Sequence, residues 1–393
     1  MNTVSADVRA SAIRCGGRTI LVSSAHVNAL GIAFALRQLG WDGAIVCLNI
    51  NGGNDSARRW VDTCSVRDLQ VADESQFFGE LQAVVPAGDV AAVFFTDERL
   101  LPIFAGNTAR RLLPSATWWL GHRGDLDTVL HRRTFYEFVV GRRLASVPMT
   151  IGSDEDPWKR LGAPFRVRVW RSWDGMRKLP RGVNVESRQG LEDWRRLCDE
   201  ERLTPEDWGY QRLLSTRPEH NVSICGWHDS SFRYYVATRK RLQRSENGYV
   251  VEALRGYRNL KRITRSILEA LEFSGPFEME FVLDERSGEF NIIELNPRFW
   301  MQHRLLDLPA GHVLVRRYLG EEMSGFQDDV NPPLRFWLDT DIVLQELLSR
   351  RWYQVAPFLR RPVWAVPPGR GLQMLLQRRY PNWFEATSGE SRQ

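Results

Sequence analysis

The chain has 393 residues, 43% of them apolar and 26% charged. That balance excludes a disordered or fibrous protein and leaves room for two or three globular domains. The net charge of +5 is almost all arginine, because lysine occurs only at Lys159, Lys178, Lys240 and Lys261. Acids are interspersed with the basic residues, so no single-sign block marks a nucleic-acid surface, while phosphorylated or carboxylate ligands suit the mild excess. No run approaches the roughly 20 apolar residues of a membrane span, and the N-terminus lacks an apolar signal core. Cys15, Cys47, Cys64, Cys198 and Cys225 have neither metal-ligand spacing nor the even count of a disulfide framework. A soluble cytoplasmic protein with reduced thiols is expected.

Residues 1–17 are small and polar and read as a loose leader. An apolar strand at 19–22 is followed by the turn Ser23-Ser24-Ala25-His26. A helical stripe of Ala29, Leu30, Ile32, Ala33, Leu36 and Leu39 then stops at Gly40. Strands at 44–48 and 91–95 complete a strand–helix–strand pattern that implies a parallel sheet. The first turn lacks a glycine-rich phosphate fingerprint, which argues against a dinucleotide there. His26 and Asp97 stand at the C-terminal ends of strands, where an open α/β sheet meets its ligand, although a solvated loop also accounts for each.

A helix is predicted over 132–142, with Phe135, Phe138 and Val139 on one face, and is broken at Val147-Pro148-Met149-Thr150. A strand at 165–169 leads into a basic loop, 172–184, that contains Arg177 and Lys178 but only Gly175 and Gly182 as glycines. A helix at 190–198 and a strand at 209–214 follow. Strands at 221–227 and 232–238 come next, the second ending in Arg239-Lys240-Arg241. An amphipathic helix over 260–273 buries Ile263, Ile267, Leu268 and Leu271. His303 is expected to be a hydrogen-bonded structural group, since a lone imidazole more often is. A closing helix covers 309–319. Beyond it lie a helix at 341–350 and a stretch rich in Trp, Pro and Arg that includes Trp352, Trp364, Trp383 and Pro367-Pro368. Packing on the core, covering the site and mediating a homodimer are all open to this tail.

The most informative stretch runs from Gly275 to Arg298. Residues 277–283 alternate apolar with acidic, 284–288 make a polar break containing Gly288, and 290–295 supply a second apolar run, which together read as an antiparallel hairpin. Alternation puts Phe277, Met279 and Phe281 on one face and Glu278 and Glu280 on the other. It likewise places Ile292, Glu294 and Asn296 together, so that Glu280 meets Glu294 and Asn296. Two carboxylates and an amide oxygen so placed suit a hard cation, Mg²⁺ with Mn²⁺ as a substitute, and Arg298 stands within reach of a phosphate oxygen. The pattern by itself equally fits acids that merely solvate the outer face of a hairpin.

Gly275, Glu280-Phe281 and Glu294-Leu295-Asn296-Pro297-Arg298 resemble the C-terminal metal-binding hairpin of the ATP-grasp superfamily, the fold of carboxylate–amine ligases, biotin carboxylase and carbamoyl phosphate synthetase. The resemblance is specific in this hairpin and looser elsewhere. It implies an α/β plus α+β architecture: a Rossmann-like domain (1–125), a small flap-bearing subdomain (126–210), a C-terminal subdomain with the hairpin (211–330) and an extension (331–393). It implies that Glu280, Glu294 and Asn296 hold the magnesium of MgATP. Arg132 and Arg171 would stand where the family has phosphate-binding lysines, a change that alters geometry but not charge. Lys178 would lie on the flap over the triphosphate, Gln211, Arg212, Leu213 and Leu214 at the adenine hinge, and Glu219 near the ribose. Arg239, Lys240 and Arg298 would stabilise charge on the transferring phosphoryl group. The function implied is an ATP-dependent ligase that joins a small-molecule carboxylate to an amine, without nucleic acid or membrane. The alternative is a degenerate relative that binds nucleotide or a partner without ligating, as the missing lysines and glycine-poor flap suggest.

Overall fold

The computed structural model describes residues 17–52, 56–85, 87–122, 126–144, 146–151, 156–214, 217–244, 247–307, 310–323, 325–327, 335–349, 351–359 and 362–365. The expected leader, apart from Gly17, lies outside these residues, as do Pro367, Pro368 and Trp383 of the extension.

Four strands, β1 (Thr19–Val22), β2 (Ile45–Ile50), β3 (Ser65–Leu69) and β4 (Val90–Phe94), form a parallel sheet in the order β3-β2-β1-β4. Helix α1 (Val27–Gln38) is buried almost all round, as its unbroken apolar sequence requires. One side packs on its own sheet and the other on Phe299, Trp300 and Tyr318 far along the chain. Gly31 permits that second contact, because a Cβ there would lie 2.5 Å from the His303 ring. The edge strand β3 and helix α2 (Glu74–Val84) carry little apolar periodicity, and their presence was not legible in the sequence. Asp73 caps α2 by accepting from the Gln76 N–H. Short helices α3 (Leu101–Ala105) and α4 (Asn107–Leu112) close this unit.

After β5 (Gly121–His122) and α5 (Asp127–Leu130), helix α6 (Arg132–Gly141) begins at Arg132 as expected. A second sheet is antiparallel, in the order β10-β7-β11-β6, from β6 (Met149–Ile151), β7 (Phe165–Val169), β10 (Asn184–Val185) and β11 (Trp208–Arg212). Helices α7 (Pro157–Leu161) and α8 (Arg188–Glu200) cover one face, burying Phe165, Val167, Val169, Trp194 and Tyr210. The loop expected to act as a flap, between β7 and β10, is a small hairpin, β8 (Trp173–Asp174) with β9 (Arg177–Lys178).

A nine-stranded sheet forms the largest layer. It contains β12 (Asn221–His228), β13 (Phe232–Arg244), β14 (Asn247–Leu254), β15 (Phe273–Asp284) and β16 (Glu289–Asn296), in the order β16-β15-β12-β13-β14. Helix α9 (Arg258–Ala270) and α6 pack on one face through Ile267, Leu268, Phe135 and Val139. α9 ends at Ala270, and Phe273 already belongs to β15. The chain continues through α10 (Arg304–Asp307), α11 (Val313–Tyr318) and β17 (Gly325–Gln327), which pairs with β13. The extension then joins the same sheet: β18 (Phe336–Leu338) pairs with β14 and β19 (Pro362–Trp364) with β18, bracketing α12 (Thr340–Leu348) and α13 (Trp352–Val355). Of the three fates open to the tail, these residues pack on the core.

Candidate functional site

Two adjoining cavities of about 660 and 540 Å³ run between the three units. They share Arg166, Arg168, Lys240, Glu280, Glu294 and Asn296, with Arg298 also common to both, and are therefore one trough. The smaller cavity ends at Gln211, Arg212, Leu213 and Leu214; the larger ends at His26, Asn28, Asp97 and the flap.

The hairpin supplies the acids by strand register. Glu280 is paired directly with Glu294, and Glu278 with Asn296. The expected alternation over residues 292–296 is corrected at one point. A bulge inserts Ile293 between the Phe281–Ile292 and Glu280–Glu294 pairs, so Ile292 turns into the core with Leu295 while Ile293 lines the trough. Glu278 also lines the trough, a site residue that sequence reasoning placed on the right face but did not select. Burial and then the Glu280 charge push its carboxyl up to about 7, against a hydrogen bond from Ser223.

Glu294 meets opposite charge instead. Arg168 donates to its Oε2 from Nη2 at 2.7 Å and Arg132 from Nε at 3.1 Å. Burial pushes this carboxyl up, but the two guanidiniums overcome it and hold the group well below the usual carboxylate range. Arg168 donates from Nη1 to Gln211 Oε1 at 3.1 Å, which ties the end of β11 to the hairpin. The cause is local: in Phe-Arg-Val-Arg-Val the apolar positions of β7 enter the core, so Arg166 and Arg168 must face the trough. Arg171, expected among the phosphate-binding positions, lies away from the trough. Trp170 turns into the interior after β7 ends, and Arg171 emerges on the surface bound to Asp127 at 2.6 Å, lining neither cavity.

The same alternation sorts the basic run on β13, which lies inside a strand extending to Arg244 rather than at its end. Lys240 faces the trough, 3.7 Å from Glu280 Oε2. Arg239 is corrected: it points to the other side and bonds Glu252 at 3.0 Å. Glu219 is corrected as well, being exposed on a single turn begun by Pro218, while its neighbour His220 turns inward to Glu285 at 3.3 Å. Arg298 lies in the trough, 3.6 Å from Glu98. His303 is fully buried outside the trough, its Nδ1 donating to Trp300 O at 3.0 Å, as a structural histidine does.

His26 and Asp97, whose loops could have been merely solvated, line the larger cavity. Burial, then the charges of Lys178, Arg99 and Arg298, lower the His26 imidazole to about 4. Lys178 lines this end too. Among the described residues, no group of three or more His, Cys, Asp or Glu side chains gathers as a metal cluster. The donor chemistry nonetheless fits a hard cation. Glu278 and Glu280 are like charges on one strand face, and Asn296 adds an amide oxygen opposite Glu278.

No protein-family model matches the sequence, and no curated protein matches it. Solved structures do. N5-carboxyaminoimidazole synthetase from Staphylococcus aureus, complexed with ADP, superposes over 79% of each chain with a TM-score of 0.56 at 14% identity. Carboxyaminoimidazole ribonucleotide synthase from Aspergillus clavatus, complexed with ATP, matches 85% of this chain and 87% of its own with a TM-score of 0.58 at 11% identity. A biotin carboxylase nucleotide complex from Campylobacter jejuni matches 80% of this chain and 72% of its own, with a TM-score of 0.55 at 13% identity.

Proposed function

The chain adopts the ATP-grasp fold, and from that premise we propose that it is an ATP-dependent carboxylate–amine ligase. One observation carries the reading: an acidic hairpin face and four cations, Arg132, Arg168, Lys240 and Arg298, meet in a trough that begins at the hinge Gln211–Leu214. The hinge would take the adenine edge largely through its backbone. Arg132, Arg168, Lys240 and Arg298 would take the phosphates, where positioning and charge stabilisation do most of the work of phosphoryl transfer. Glu280, Glu294, Asn296 and Glu278 would hold Mg²⁺ or Mn²⁺, which when bound neutralises phosphate charge. The acceptor carboxylate attacks the γ-phosphorus and ADP leaves. An amine then displaces phosphate from the acyl phosphate, forming the amide. No protein nucleophile is required.

A second reading has its own support. Glu294 is held by two arginines, and the flap is poor in glycine, so a nucleotide binder without ligase activity is the alternative. Measuring ADP release with a panel of amino acids and dipeptides separates the two. Turnover with any acid–amine pair supports the ligase. Tight MgATP binding with no ADP release across the panel supports the binder.

A further inference from the structure

The flap is docked on the N-terminal unit. Its turn places Met176, 4% exposed, in the apolar cluster of Leu101, Phe104 and Trp118. The Arg99 guanidinium lies 3.8 Å over the Trp173 ring. This docking carries Lys178 and Arg181 over the wall of His26 and Asp97. Arg181, Arg99 and Asp97 are the charges nearest in effect to Lys178.

The two acids of the wall are already engaged. Glu98 faces Arg298 at 3.6 Å, and Asp97 accepts from the Arg99 backbone N–H at 3.0 Å while burial raises its pKa. Lys178 and Arg181 line the cavity, and among the described residues neither side chain is in an ion pair or a hydrogen bond, the Lys178 ammonium lying 5.8 Å over the Trp173 ring. The trough also has an order. The hinge closes the smaller cavity, the acids and Lys240 occupy the shared middle, and the flap cations stand beyond them in the larger one. A nucleotide seated on the hinge with its phosphates in the middle leaves that far end to the acceptor.

Building on the ligase reading, we infer that the acceptor acid carries a second anionic group, a phosphate or a carboxylate, which seats on Lys178 and Arg181. A compact oxyanion there gains charge-assisted hydrogen bonds from two like-charged donors and relieves their mutual repulsion. Lys178 thereby passes from the triphosphate to the acceptor. Selectivity follows, since a monocarboxylate of the same size forgoes these bonds.

The test is calorimetric titration of the full chain, saturated with Mg²⁺ and a non-hydrolysable ATP analogue, with inorganic phosphate in one arm and succinate in the other. At least one dianion is expected to bind, the tighter of the two naming the group. Lys178→Ala and Arg181→Ala are expected to weaken it about tenfold each, and Lys178→Arg to retain it within about threefold. Affinity for the ATP analogue is expected to stay within about threefold in all three. The inference is overturned if neither dianion binds, if the variants bind it like wild type, or if they lose the ATP analogue instead. Failure of wild type to bind the analogue at all defeats the nucleotide reading, a result distinct from these.

Discussion

The acidic hairpin and the flap are both pairs of antiparallel strands that face the trough, yet they are fixed in opposite ways. In the hairpin, residues 277–283 obey a period of two and Glu280 finds Glu294 through the ladder itself. The face that carries the chemistry is a property of the local sequence. The flap has two strands of two residues each, and its position comes from Met176 and Trp173 docking on a domain whose elements lie earlier in the chain. Chemistry that rests on register tolerates no change of charge, whereas chemistry that rests on docking is graded.

Glu294→Gln gives the largest expected effect. It keeps the size and the ladder but removes the charge that Arg132 and Arg168 share, so turnover should fall by about two orders of magnitude or more. Circular dichroism should show the fold retained. Activity within about threefold of wild type would detach the hairpin from the reaction. Adjacent positions of β13 sharpen the point: Lys240→Ala should cost about tenfold in kcat/KM, while Arg239→Ala, on the opposite face with Glu252, should cost less than about twofold. Equal effects would mean that alternation does not decide which cation serves the site.

For the flap, Met176→Asp places a carboxylate in an apolar cluster and should release the hairpin rather than unfold the chain. Limited proteolysis should then cut between residues 172 and 184, with turnover reduced roughly fivefold. Unchanged protease resistance would show that docking does not hold the flap.

The smallest effect concerns the seam between the units, where His303 packs on Gly31 of α1. Burial holds His303 at about 4, below its ordinary value of 6.5. The unfolded chain therefore binds the extra proton first, so stability is full above pH 6.5 and declines as pH falls toward 4. Between pH 7 and pH 5 this one group should remove about 2 kcal/mol. In His303→Asn, which can still donate to Trp300 O, that part of the slope should vanish from denaturant titrations. An unaltered slope would assign the acid sensitivity to other groups.

The chain's own alternation and turns determined the parallel unit's first strands, the helix at Arg132, the strand of Phe165 to Val169, and a hairpin with Glu280 facing Glu294. These are interactions between near neighbours, and a period of two or 3.6 suffices to aim them. Only the tertiary structure decided that Arg168 reaches Glu294 while Arg171 turns to Asp127 on the surface, that Ile293 bulges, and that His26 and Asp97 close the trough beneath a docked flap. Those outcomes depend on where Trp170 and Met176 find apolar space and on how three separate units meet. Burial against distant partners leaves no period in the sequence from which it could be read.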